Sequence, residues 1–224
     1  MIRLHKGPAP DILVQKADDW TREYIEAIND NSRMTREVRF RYRHRDIKAA
    51  LRRDSQNKCI YCEGLIGFGE SDHIDPVSAR PELVVAWNNL GLVCKECNTH
   101  KSNYYVPAEP LINPYVDEPS NHLIFLGATV VPMPGDGTGL RTYLLLKLNR
   151  IDLIQRRNLR IDRLTPLVEQ WKSFPDPATK DLLQQAVLDE GADGKEYAAT
   201  IRGYLYHVLG WIWPSGHRQG DVAS

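Results

Sequence analysis

Four cysteines stand in two pairs, Cys59-Ile60-Tyr61-Cys62 and Cys94-Lys95-Glu96-Cys97, with 31 residues between them. A two-residue spacer lets a tight turn aim two sulfurs at one point, and two such turns close a tetrahedral shell around a zinc ion. Four thiolates leave no ligand position for water, so the pattern predicts a metal that serves folding and does no hydrolysis. Neither pair has a thioredoxin-like setting, and the plainer alternative is four buried, reduced thiols. The gap between the pairs is longer than in a minimal zinc ribbon and must hold structure of its own.

Within that gap lie Asp72-His73-Ile74-Asp75-Pro76 and Trp87-Asn88-Asn89-Leu90, and directly after the last cysteine come Asn98-Thr99-His100-Lys101. In this order, from Cys59 to Lys101, the chain resembles the HNH nuclease family. The family motif is a ββα-metal unit: a strand ending in Asp-His, a loop with asparagine before leucine, and a helix carrying a third residue. The resemblance implies an α+β fold in which a ββα-metal (HNH) core, stabilised by a four-cysteine zinc, lies between an N-terminal helical segment and a mixed C-terminal region.

The resemblance also implies roles. Phosphodiester hydrolysis needs a deprotonated water, a cation on the phosphate oxygens and stabilisation of the leaving oxygen. His73 would be the general base, a role suited to a side chain that titrates near neutral pH. Asp72 would be a hard oxygen ligand of one Mg²⁺ or Mn²⁺ ion. Asn89 would orient the base-bearing strand through hydrogen bonds to the loop, with Asn88 as the possible substitute. Asn98 stands where many members carry histidine and would offer its carbonyl oxygen to the same ion. His100 is two residues further, about 200° around a helix, and is not the preferred ligand. Lys101, one turn after Asn98, is expected at phosphate. Side chains of successive strand residues point to opposite faces, so a bulge or a strand end must bring Asp72 and His73 to one site.

A closer resemblance covers nearly the whole chain. An N-terminal Trp20 helix, Cys59 to Glu63, Pro81-Glu82-Leu83, Asn113-Pro114, Asp117-Glu118-Pro119 and Leu148-Asn149-Arg150 are together similar to the HNH proteins encoded beside an ATPase in Septu-type antiphage defence and in some retrons. That implies an ABC-type ATPase partner, with the region from Leu111 onward, including Trp171, Trp211 and Trp213, as the docking surface. The alternative for these tryptophans is ordinary core packing.

The elements that must position these residues are read from periodicity. Residues 1–35 form an arm and a first helix over Ala17 to Asn29; residues 36–110 hold a basic lead and the nuclease core; residues 111–224 are mixed. The basic lead, Arg36 to Lys58, carries nine basic residues against Glu37, Asp46 and Asp54. It predicts phosphate neutralisation, notably by Arg52 and Arg53, unless it is a solvated helix face. Asp46 to Asp54 reads as a helix, whereas arginines alternating with Val38, Phe40 and Tyr42 also fit a strand. Further on, Leu123 to Val131 and Thr142 to Leu148 read as a hairpin around a Pro/Gly-rich turn. Asn149 then reads as the N-cap of a helix running to Trp171, with helices to follow over Asp181 to Leu188 and Tyr197 to Val208.

The 224 residues carry 29 basic and 29 acidic side chains, so whole-chain charge gives no sign of a nucleic-acid partner. No apolar run reaches the roughly 18 residues of a membrane span, and no apolar leader is visible, so a cytosolic protein with reduced thiols is expected. The substrate implied is nucleic acid, expected to be DNA. A zinc-stabilised adaptor that binds without cutting is the non-enzymatic alternative, and it requires nothing of His73.

Overall fold

The computed structural model describes residues 1–30, 33–67 and 69–213. Its first ten residues are not a loose arm: Met1, Ile2 and Leu4 are buried, and the Leu4 amide donates to Pro114 O at 2.8 Å. Lys6 lies 4.1 Å from the ring centres of both Trp87 and Tyr115. Helix α1 follows over Asp11–Asn29, starting a turn and a half before the expected position because Pro10 pre-sets the backbone at its N-cap.

The basic lead is helical from Arg36 to Asp54 apart from a one-residue link at His44. Thr35 Oγ1 accepts from the Val38 amide at 3.2 Å and starts α2, Arg36–Phe40, which passes into a 3₁₀ turn, Arg41–Arg43. The strand alternative fails because no neighbouring strand is there to pair its backbone, whereas α1 offers Arg41 both the Glu23 carboxylate at 2.7 Å and the Trp20 ring. Helix α3, Arg45–Asp54, buries Ile47, Ala50 and Leu51 at the expected spacing. Gln56 and Asn57 in the left-handed region end it and turn the chain towards the first cysteine.

The centre is a ββα unit. Strand β1 (Glu70–His73) pairs antiparallel with β2 (Leu90–Val93), His73 facing Leu90 and Glu70 facing Val93. Helix α4 (Lys95–Lys101) follows at once, with Cys94 as its N-cap. Beyond residue 110 a second hairpin joins β3 (Leu123–Leu126) and β4 (Thr129–Pro132). It closes through Gly127 and Ala128, where Gly127 supplies a φ of +58° that suits a two-residue turn. The expected return strand over Thr142 to Leu148 is instead mostly helix α5, Gly137–Leu145. Asp136 caps it by accepting from the Thr138 and Gly139 amides at 3.1 and 3.0 Å, a start signal hidden in a turn-rich stretch.

Helices α6 (Ile151–Ser173), α7 (Pro177–Asp189) and α8 (Ala198–Leu209) complete the described fold. The N-cap of α6 is Arg150, without a side-chain cap bond. Asn149 binds elsewhere. Its amide accepts from Val130 N at 2.8 Å and donates to Val130 O at 2.9 Å, fastening the turn before α6 to the β3–β4 hairpin. One apolar cluster takes residues from both sides of position 110, among them Ile47, Leu51, Leu90 and Leu92 with Phe125, Val130, Leu146 and Leu153. A smaller one joins α6, α7 and α8 through Leu164, Val168, Val187 and Ile201, with Trp211 and Trp213 packed on it. Trp171 meets Trp211 edge to face at 4.8 Å, and Trp171, Trp211 and Trp213 are all half-buried. No described helix is long and apolar enough to cross a membrane.

Val130 is fully buried, so Asn149→Ala strands its amide and carbonyl; the expected loss is about 2 kcal/mol, read as a lower urea midpoint with unchanged slope.

Candidate active site and metal centre

The four sulfurs of Cys59, Cys62, Cys94 and Cys97 lie within 4.8 Å of one another. The first pair sits on a turn in which the Cys59 amide donates to Gly64 O at 2.9 Å and the Glu63 amide to Cys59 O at 3.0 Å, with Glu63 left-handed at φ +66°. The second pair straddles the start of α4, where Cys94 Sγ accepts from the Cys97 amide at 3.4 Å. A tetrahedron with metal–sulfur arms of about 2.3 Å has edges of about 3.8 Å, and Cys62 Sγ and Cys94 Sγ are 3.8 Å apart. Burial pushes the Cys59 thiol well above its ordinary range, so four thiolates at this spot require a cation. The donor set fits zinc.

His73 is the last residue of β1 and pairs with Leu90. Its Nε2 is 2.8 Å from Val84 O. Only an N–H can face a carbonyl, so the neutral ring carries its proton on Nε2 and leaves Nδ1 as the acceptor. Burial, with the charges of Lys101 and Arg43 adding to it, pushes the His73 pKa down to about 4. The ring is thus neutral near pH 7. Tyr42, from the 3₁₀ turn after α2, lies edge-on to it with centroids 4.4 Å apart.

Asn89 holds the loop that follows His73. Its Oδ1 accepts from the Asp75 amide at 2.8 Å, its Nδ2 donates to Asp75 O at 2.9 Å, and its carbonyl accepts from the Ile74 amide at 2.8 Å. Asn88 makes none of these bonds. On the other side of β1, Lys101 Nζ donates to His73 O at 2.6 Å and lies 3.2 Å from Asp72 Oδ2. Burial pushes the Asp72 carboxyl up to about 6 against the pull of this ammonium. Asn98 Nδ2 donates to Glu70 Oε2 at 2.6 Å, which fixes the amide and turns its carbonyl oxygen the other way. Glu70 carries no motif signal of its own, although its place two residues before Asp72 puts both carboxylates on one strand face.

The HNH endonuclease family matches residues 59–104, the stretch that folds as the ββα unit with its sulfur cluster. A Septu protein PtuB of Bacillus thuringiensis is 31% identical over 224 residues, spanning 92% of this chain and 82% of the relative. The chain belongs to the Septu PtuB family. A second PtuB, of Bacillus mycoides (strain KBAB4), is 27% identical over 195 residues, 70% of this chain and 66% of the relative. Family membership therefore extends well beyond the HNH stretch and takes in most of the C-terminal half.

The residues expected to meet phosphate each have a partner within the fold. Lys101 is 2% exposed and engaged by Asp72 and the His73 carbonyl. Arg52 donates to Ile66 O at 3.1 Å and Gly67 O at 2.7 Å, pinning the loop after the first cysteine turn. Arg53 pairs with Asp54 at 2.9 Å. Lys101 and Arg52 thus hold backbone of their own fold, while the Arg53 side chain remains 58% exposed. The cation at the surface near His73 is Arg43, which lies over the Phe40 and Tyr42 rings at 4.4 and 5.3 Å and has no carboxylate partner among the described residues. Among those residues the cysteines are also the only close set of three or more Cys, His, Asp or Glu ligand atoms. A second ion would rest on Asp72 and Asn98 and keep most of its water, as Mg²⁺ commonly does.

Asn89→Ala should cost about 3 kcal/mol, since both backbone groups of Asp75 lose a partner, and Asn89→Asp, which keeps only the acceptor, should fall between. Denaturant titration of the three proteins checks the order.

Proposed function

We propose that this protein is a metal-dependent HNH endonuclease that hydrolyses phosphodiester bonds of nucleic acid, DNA foremost, as the effector of an antiphage system with an ABC-type ATPase. The observation that carries the reading is His73: a buried, neutral imidazole whose tautomer is fixed by Val84 O, next in sequence to the buried Asp72. An imidazole so held accepts a proton from water at Nδ1. Asn89 keeps the strand end in place during that transfer, and Glu70 keeps the Asn98 carbonyl turned away from itself. A divalent ion on Asp72 and Asn98 would supply positive charge to the phosphate and the leaving oxygen. The four-cysteine zinc stays out of the chemistry, because its shell is closed.

Arg43 joins the residues expected to neutralise phosphate, Arg52, Arg53 and Lys101. Its charge is felt at His73, and the aromatic rings beneath it hold the guanidinium without neutralising it. The relatives' names agree with a Septu assignment, and the resemblance to Septu-type antiphage proteins is what supports the defence role and the ATPase partner.

With Mg²⁺ or Mn²⁺ and plasmid DNA, alone and with a co-encoded ATPase, the wild type should nick or cut, and His73→Ala should lose at least about 100-fold in rate while remaining folded. If the wild type cuts neither DNA nor RNA in any of these mixtures, the adaptor reading replaces the enzyme. For binding, Arg43→Ala in the His73→Ala background should flatten the slope of log affinity against log salt by about 1, measured on a short duplex.

A further inference from the structure

The sulfur cluster has a fifth participant, and it comes from the other half of the chain. Arg150 Nη1 and Nη2 each lie 3.7 Å from Cys97 Sγ, and Nη2 lies 4.0 Å from Cys94 Sγ. Its planar fork thus spans both sulfurs of the second knuckle. We infer that Arg150 is a positioning residue of the metal centre, whose guanidinium offsets part of the negative charge of the thiolate shell and so makes metal retention depend on the C-terminal half.

A divalent ion with four thiolates carries a net charge of −2, and three of the four cysteines are buried, where such a charge is costly unless it is matched nearby. One guanidinium reduces it to −1 and adds N–H bonds to the sulfur lone pairs. Arginine suits this better than lysine, since two N–H groups leave the fork in fixed directions while an ammonium is a single point.

The fork is also held by groups other than the sulfurs. Nη1 donates to Leu146 O at 3.2 Å, and Nε lies 3.1 Å from Asp152 Oδ1. The backbone beneath it is a tight turn: Lys147 is left-handed at φ +47°, the Arg150 amide donates to Lys147 O at 2.9 Å, and Leu146 and Leu148 on either side are buried. With Asn149 pinned to Val130, the side chain loses little freedom in meeting the sulfurs. Cys97 directly precedes Asn98, so the knuckle that Arg150 braces is also the root of the helix that presents the candidate ligand of the second ion.

The test uses the full-length protein loaded with zinc, comparing wild type with Arg150→Met and Arg150→Lys. Competition with a chromophoric chelator should show zinc held about 10- to 100-fold more weakly by the Met protein, as is usual when an outer partner of a metal ligand is lost, with the Lys protein in between. In cobalt-substituted protein, the thiolate-to-cobalt charge-transfer band should move to lower energy in the same order, because unbraced thiolates give up electrons more readily. Should the Met protein fail to fold, the Lys protein decides by the same two readings. Affinities within about twofold and an unmoved band would overturn the inference while leaving the metal centre standing. A wild type that binds neither zinc nor cobalt would remove both.

Discussion

Four thiols within 4.8 Å of one another cannot all ionise unless a cation sits among them, because like charges so close in a buried place repel strongly. The rest of the centre depends on that closure. Strands β1 and β2 have four residues each and α4 has seven, below the lengths at which a hairpin or a helix is stable alone. The first knuckle stands before β1 and the second at the start of α4, so one shared cation would fasten both ends of a unit whose own hydrogen bonds are few. The strand end that carries His73 is placed by that fastening together with the Asn89 loop.

Around the cluster, buried charges come in matched sets that reach across the chain. Lys58 donates to the carbonyls of Asp193 and Lys195. Arg157 donates to Leu148 O at 2.8 Å and Ala128 O at 3.3 Å. Glu63 receives the Met1 ammonium and, at 3.2 Å, the Ala199 amide. Such groups add modest net stability once their desolvation is counted, but an unmatched one is costly, so they select a single arrangement of the elements. Lys101 belongs with them: its ammonium lowers the cost of burying Asp72 and ties α4 to the end of β1 in one stroke.

What the sequence makes legible is local and periodic. The cysteine spacing, the Asp-His pair and the asparagine before leucine announce the centre, because each is a short-range geometric requirement. Helices α3, α6, α7 and α8 show in their apolar spacing. The failures have physical causes. Thr142 to Leu148 reads as a strand from its apolar run, yet an upstream aspartate cap decides for a helix. The alternation from Arg36 to Tyr42 looks extended, but the residues that hold it, Glu23 and Trp20, lie on another helix. Asn149 looks like a cap from its neighbours alone, and only the fold brings Val130 within its reach. Cationic side chains are the least legible of all, since Arg43 and Arg52 differ in whether a carbonyl happens to lie opposite, which no spacing reports.

The apolar cluster that joins Leu90 and Leu92 to Phe125, Val130 and Leu146 bears on how this centre can be inherited. The family match ends at residue 104, but the oil-filled seam beneath it does not. A recombination crossover placed between them would leave each fragment with an uncovered greasy wall and several orphaned cations. In this chain the motif therefore shares its core with its scaffold, and a change of side-chain volume on one side of the seam is felt on the other.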